Sequence, residues 1–229
     1  MNTKIRTICA ALSGFLAALC LSLLMLSLLL EGAGTSAPLM EDMFLRYAPS
    51  EETGLPEEEY RGMAEMVTGY LAGSVDDFQY TLVQEDGTET LLFNPDEQQH
   101  MADCRGLFVL DRTVLLISGA ALCLLFLALL SLKRSRSAAR GFACGAGLVM
   151  LLVAGLSVWG CIDFNGLFIR FHQLSFSNGL WMMNPEEDLI IRLMPLPFFI
   201  HYAAVIGAAW IAGMLIALGG GLYVALKKK

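Results

Sequence analysis

Charge is scarce in this chain. Only 16% of its 229 residues are charged against 56% that are hydrophobic, a balance too apolar for a soluble domain and one that makes the bilayer the solvent. Acidic residues are missing altogether from 1–30, 112–162 and 189–229. The six cysteines form no CxxC pair, which removes the usual zinc and dithiol motifs. There is no HExxH helix, no P-loop and no dinucleotide-binding glycine pattern, so neither nucleotide chemistry nor a common metal site has a signature. Histidine is scarce as well, at three residues, so each one can be weighed separately.

What the chain does have is long apolar runs with basic punctuation. Four stretches reach the roughly 20 mostly apolar residues a spanning helix needs: Ile8–Leu30, Leu107–Leu132, Phe142–Ile162 and Phe198–Leu226. Lys4 and Arg6 precede the first, Lys133, Arg134, Arg136 and Arg140 join the second to the third, and Lys227, Lys228 and Lys229 follow the fourth. Cationic flanks stay on the cytoplasmic side, so both termini are expected inside. Every carboxylate, lying in Glu31–Asp111 or Asp163–Asp188, is expected outside. The net charge of −7 belongs to that outer face and argues against a nucleic-acid partner.

The first run resembles a secretory signal, with Thr35-Ser36-Ala37 as a cleavage site. It far exceeds the roughly 7 to 15 apolar residues of such signals and is expected to stay as an anchor. Cys20 sits mid-span behind Ala17-Ala18-Leu19, a poor run-in for lipid attachment. The expected fold is an all-α polytopic membrane protein with four transmembrane helices. They fall in 1–30, 107–132, 142–162 and 198–229, the last including a basic cytoplasmic tail. A small extracytoplasmic α+β cap covers 31–106, a basic cytoplasmic loop 133–141, and an aromatic extracytoplasmic segment with short interfacial helices 163–197.

Within the cap, Pro56 and the acids Glu57, Glu58 and Glu59 open a helix, and Gly73 stops it. Tyr60, Met63, Val67, Tyr70 and Leu71 recur along it at helical spacing. That stripe reads as a core face packing on the hairpin that follows, with a lipid-binding surface as the other reading. Tyr80–Gln84 and Thr88–Phe93 flank Glu85-Asp86-Gly87, and an Asp-Gly turn between two such runs signals a hairpin. Asn94-Pro95 then supplies a cap and a first-turn proline. The helix it starts is expected to run unbroken to Leu132, about 38 residues or roughly 57 Å, against a hydrocarbon core of about 30 Å. Its first turns must stand above the hydrocarbon.

Those turns carry His100, Asp103, Cys104 and Arg105. His100 and Asp103, three apart, share a helix face. A histidine titrating near neutrality beside a carboxylate that fixes its tautomer suits proton transfer, although a solvated helix end with an incidental contact has the same spacing. In the second outer segment Phe164, Leu167, Phe168, Phe171 and Leu174 form the apolar face of an interfacial helix, with Arg170 and His172 among them. An ionisable group there is unfavourable unless it faces a polar site.

Trp159, Trp181, Phe198 and Tyr202 form the expected aromatic belt. Asn184-Pro185-Glu186-Glu187 reads as the cap and first turn of another short helix reaching Pro195. His201 reads as an interface residue, and Ala209, Gly213, Ala217 and Gly221 as a helix-packing face. Cys104 and Cys161 both fall near the outer face, where unpaired thiols are expected and a disulfide is the other reading.

With these residues in view, the chain resembles the lipoprotein intramolecular transacylases, four-span membrane proteins known from Gram-positive bacteria. The resemblance is carried by Glu97-Gln98-Gln99-His100-Met101-Ala102-Asp103-Cys104-Arg105-Gly106-Leu107-Phe108 and by Phe171-His172-Gln173-Leu174-Ser175-Phe176-Ser177-Asn178-Gly179-Leu180-Trp181. It continues in Asn184-Pro185, Leu189-Ile190, Pro195, Phe198 and Phe199. At Cys104 the family pattern expects an aliphatic residue, and at Gly179 and His201 an acid.

The resemblance implies an enzyme that moves one acyl chain of a lipoprotein's diacylglyceryl group onto the α-amino group of its N-terminal cysteine, giving the lyso form. It implies His100 and His172 as catalytic residues; beside them Asp103 is read as support that fixes the His100 tautomer, and His172 as the orienting or oxyanion-side partner. Arg105, Arg170, Asn178 and Trp181, beside the two histidines, are the candidates for substrate binding. Partners would be diacylglyceryl-modified lipoproteins and membrane lipid, with no cofactor, metal, nucleotide or nucleic acid. The competing readings are a non-catalytic lipid- or lipoprotein-binding membrane protein and a metal-dependent hydrolase using His100, Asp103 and His172.

Overall fold

The structure, a computed structural model, describes residues 2–84 and 86–227. Glu85 of the hairpin turn and Lys228 and Lys229 of the basic tail lie outside the described residues. Four helices are long and apolar enough to cross a membrane: α1 (Thr3–Gly34), α5 (Pro95–Leu132), α6 (Ser135–Ile162) and α9 (Leu196–Leu226). Between α1 and α5 come α2 (Ala37–Tyr47), α3 (Ser50–Thr53), a 3₁₀ turn (Glu57–Glu59), α4 (Tyr60–Ala72) and the strands β1 (Thr81–Val83) and β2 (Glu89–Leu91). Between α6 and α9 come α7 (Phe164–Ser175) and α8 (Leu189–Leu193). The chain divides into two compact units, one made of Met1–Leu29, Asp111–Ile162 and Val205–Lys229, the other of Leu30–Leu110 and Asp163–Ala204.

The first unit is built from the spanning parts of the four long helices. Lipid provides no hydrophobic drive between helices, so close approach through small residues has to hold them. Gly14 lies against the backbone of Ala138 and Gly141 against that of Ala11, with no room for a Cβ at either glycine. Ala18, Ala146, Trp210 and Met214 form the buried cluster, and the Trp210 indole donates to the Ser22 carbonyl at 3.1 Å. Gly213 and Gly221 of the four-residue repeat meet the side chains of Met25 and Phe142, so that face packs helices. At Gly14 and Gly141, however, it is α1 and α6 that meet backbone to backbone.

The second unit has a conventional apolar core. Tyr60, Met63, Val67, Tyr70 and Leu71 are all buried, so the α4 stripe is a core face and not a lipid-binding surface. It packs chiefly on α2, an element with no clear sequence signal. Phe44 of α2, Phe78 and Phe93 from the hairpin region, and Leu189, Ile190 and Leu193 of α8 complete the core. The Tyr60 hydroxyl ties it together, bonding the Ala48 carbonyl and, at 2.8 Å, the Thr53 hydroxyl.

β1 and β2 pair antiparallel with Leu82 opposite Thr90, and Gly87 takes the left-handed φ of 83° that the turn demands. The expected helix at Asn184-Pro185 is a turn instead. The Asp188 carboxylate takes the Asn184 N–H at 2.7 Å, the Asn184 side chain takes that of Glu186 at 3.2 Å, and helix begins only at Leu189.

Candidate active site

The site is built on the first turns of α5 and on α7, both within the second unit. Asn94 caps α5, accepting from the N–H groups of Asp96 at 2.9 Å and Glu97 at 3.0 Å. Glu97 reaches back to the Asn94 N–H at 2.8 Å, the reciprocal box that fixes a helix start. Its other oxygen accepts the Ile190 N–H of α8 at 2.8 Å, and the Asn94 amide donates to Asp188 at 2.8 Å. Glu97 is only 1% exposed; burial raises its pKa, opposed by these backbone donors. One turn before His100, the helix is thus locked in place and phase.

His100 lies in the part of α5 above the spanning run and is 7% exposed. Its Nε2 is 3.5 Å from Cys104 Sγ one turn on, and its Nδ1 is buried with no hydrogen-bond partner. Asp163 caps α7 by accepting the Gly166 N–H at 2.8 Å, and the phase this sets turns His172 inward, also to 7% exposure. His172 Nδ1 is 2.8 Å from the Phe168 carbonyl. A carbonyl can only accept, so Nδ1 carries the proton and the neutral ring keeps its lone pair on Nε2. The two imidazoles lie near-parallel, centroids 6.1 Å apart. Phe176 sits 5.1 Å from one and 5.5 Å from the other. Phe168 at 4.1 Å and Trp181 at 5.2 Å complete the wall around His172.

This apolar wall sets the charge state. Burial, and then the positive charge His172 would carry, push the His100 pKa down to about 4, against a smaller upward pull from Asp103. Burial also lowers that of His172, outweighing the Phe168 bond that favours its charged form. Both rings are therefore neutral at physiological pH. Burial drives the Cys104 thiol up to about 12, so the Cys104–His100 contact joins two neutral groups.

Several expected roles move. Asp103 does not hydrogen-bond His100; it accepts from the Asn178 amide at 2.8 Å and the Gln99 amide at 3.5 Å. Arg105 turns into the cap, its guanidinium 3.4 Å from the Val75 and Asp76 carbonyls and 4.9 Å over the Tyr70 ring. Arg170 bonds Gln173 at 2.9 Å on the surface. Neither arginine joins the histidines.

Asn178 and Trp181 lie beside the histidine pair: the Trp181 indole donates to the Asn178 carbonyl at 3.1 Å and its ring lies 5.2 Å from that of His172. Sequence reasoning missed Phe176, Phe168 and Glu97 as parts of the site, although Phe176 and Glu97 stood in the motifs. His201 is elsewhere, bonded to the Tyr47 hydroxyl at 3.0 Å. Cys104 and Cys161 are free thiols. No three His, Cys, Asp or Glu side chains among the described residues are grouped to hold a metal ion.

Fold and site together define a class, the polytopic membrane enzymes. The model of the lipoprotein intramolecular transacylase family, Lit, matches residues 15–199. The chain belongs to the lipoprotein intramolecular transacylase family, and nothing favours a non-catalytic lipid-binding role.

Its fold is similar to that of the membrane integral lipoprotein intramolecular transacylase Lit from Bacillus cereus, at 22% identity and a TM-score of 0.69, covering 97% of this chain and 95% of that one. A histidine-to-alanine variant of the Bacillus cereus protein matches at 21% identity and 0.64, over 97% and 93% of the two chains. A histidine-to-arginine variant matches at 20% and 0.60, over 97% and 91%. No curated protein matches the chain.

Proposed function

We propose that His100 is the proton shuttle of this transacylase and that His172 orients the attacking amine. The reaction moves an O-acyl chain of the lipoprotein's diacylglyceryl group to the α-amino group of its N-terminal cysteine. The amine nitrogen bonds to the ester carbonyl carbon, the carbon–glycerol oxygen bond breaks, and the proton lost by nitrogen ends on that oxygen. The observation that carries the reading is a pair of buried, neutral imidazoles with centroids 6.1 Å apart, each with a ring nitrogen free for substrate. An amine nitrogen held between them would donate to each at the usual hydrogen-bond distance of about 2.9 Å.

Neutral His172 spends its only donor on Phe168, so its Nε2 can accept an amine N–H but cannot donate to a tetrahedral oxyanion. That favours an orienting role over an oxyanion-side one. His100 Nδ1, buried without a partner, is left at a cost of about 1–3 kcal/mol that a substrate proton would relieve. Donor and acceptor belong to one substrate molecule, so holding a near-attack geometry is the main requirement. Ester aminolysis is downhill, so no nucleotide or cofactor is called for. Asp103 acts through Asn178, which positions Trp181 over His172.

The substrates are diacylglyceryl-modified lipoproteins meeting the enzyme in the membrane. With cationic flanks inside, the site opens on the extracytoplasmic face and both termini are cytoplasmic. The test is expression in a host making diacyl lipoproteins, with mass analysis of one N-terminal lipopeptide. Wild type yields the N-acyl, monoacylglyceryl form, whereas His100→Ala and His172→Ala, at matched levels in the membrane, yield little or none. Normal lyso product from either variant removes that histidine from the mechanism.

A further inference from the structure

Cys104 touches the His100 ring and has no part in the proposed mechanism. Its Sγ lies 3.5 Å from His100 Nε2, one turn along the same helix. Among the described residues nothing else hydrogen-bonds the His100 ring: Asp103 is taken by Asn178 and Gln99, while Phe176 and His172 contribute ring faces. The second ring nitrogen, Nδ1, is buried and unpartnered in a residue 7% exposed.

We propose that Cys104 is a positioning residue whose sulfur accepts the Nε2–H of His100, holding the tautomer that leaves the Nδ1 lone pair as the proton acceptor. This rests on the reading of His100 as the proton shuttle. A neutral imidazole has one donor and one acceptor nitrogen, and a thiol can play either part weakly, so two arrangements are open. In the first, S–H donates to Nε2; Nδ1 then bears the proton, and the buried nitrogen that meets substrate is a donor, unable to take a proton from an amine. In the second, Nε2–H donates to sulfur and Nδ1 is the base.

Proton uptake separates the two. As the ring becomes imidazolium, the Nε2–H···S contact gains a charged donor and strengthens, whereas S–H···Nε2 loses its acceptor. The buried thiol, with its pKa pushed up to about 12, does not pass its proton to His100 and cancel the base. The charged or titratable groups facing this pair are Asp103 on α5 and His172 on α7, and neither bonds His100.

The contact also makes His100 and His172 opposite tautomers, since His172 carries its proton on Nδ1. Histidine labelled with ¹⁵N therefore reads the proposal directly in long-range ¹H–¹⁵N spectra of the full-length protein near pH 7, where His100→Gln identifies the His100 signals. The expected result is the Nε2–H pattern for His100 and the Nδ1–H pattern for His172 in wild type. Cys104→Val should bring His100 to a mixture of tautomers, with kcat several-fold lower and KM little changed. Cys104→Ser should recover only part of the rate, because a helical serine turns its hydroxyl toward the carbonyl four residues back.

The proposal is overturned by an Nδ1–H His100 in wild type, by a tautomer unmoved in Cys104→Val, or by an acyl thioester trapped on Cys104. Should His100→Gln keep full activity, the shuttle reading falls instead, and the tautomer pattern still reports on the contact itself.

Discussion

At the scale of single residues, the histidine pair fixes what pH does to the enzyme. The His100 base must be neutral, and with its pKa down near 4 it stays so through the physiological range. His172, also lowered, keeps its Nε2 lone pair over the same range. The substrate amine, at about 8 when free, is the group that titrates there. Between pH 8 and 5 the rate is expected to fall with the neutral fraction of the amine. A steeper fall should appear as pH drops through about 4 and His100 takes a proton. Asp103→Asn removes the upward pull on His100, so it shifts that second limb slightly lower and leaves the first alone. Asp103→Ala also releases Asn178, and with it Trp181, so it should lower kcat several-fold at pH 8 where Asp103→Asn does not. Initial rates of lyso-product formation from pH 3.5 to 9 check both statements, and a half-maximal point near pH 6.5 that follows Asp103 would contradict them. The spacing of His100 and Asp103 made a hydrogen bond between them legible as an option. The rival donor to Asp103, Asn178, stands 75 residues away in sequence, and local spacing carries no information about it.

At the scale of elements, Glu97 joins two helix starts, and its removal leaves the buried N–H of Ile190 and the part-buried N–H of Asn94 unpaired. An orphaned buried donor costs about 1–3 kcal/mol, so Glu97→Ala should lose about 2–5 kcal/mol, which at about 2–4 °C per kcal/mol for a chain of this size is a drop in Tm of about 4–20 °C. Glu97→Gln, keeping one acceptor, should fall between. Thermal unfolding in detergent measures it, and an unchanged Tm in Glu97→Ala would show that the clamp holds nothing. The start of α5 was readable because Asn94-Pro95 is a strong local signal, and the 38-residue length follows from the distance between that cap and the end of the apolar run at Leu132. α2 was not readable: Pro38, Glu41 and Asp42 interrupt its pattern, and what makes it a helix is burial of Met40, Met43 and Phe44 against α4. The five-residue α8 was placed too early because Asn184-Pro185 mimics a cap, whereas the Asp188 carboxylate closes a turn there.

At the scale of the whole molecule, the separation of acids from the basic loops predicts which groups meet which aqueous phase. In a cysteine-free background, Asp86→Cys in the cap should react with a membrane-impermeant maleimide in intact cells, and Ser137→Cys near the basic loop only after permeabilisation. The reverse pattern would invert the assigned orientation. Four spans and a folded cap were legible because length and hydropathy act over tens of residues; the close α1–α6 approach was not, since Gly14 and Gly141 are two among 22 glycines. The three tryptophans sit in three different settings. Trp159 is partly exposed near the end of α6, Trp210 is buried and bonded to Ser22, and Trp181 lies tilted against His172 at 5.2 Å. Among the described residues only Trp181 touches a titratable ring, and a protonated imidazole quenches indole emission on contact. The fluorescence of that one side chain should therefore dim as His172 gains a proton, an optical gauge of the state of the site.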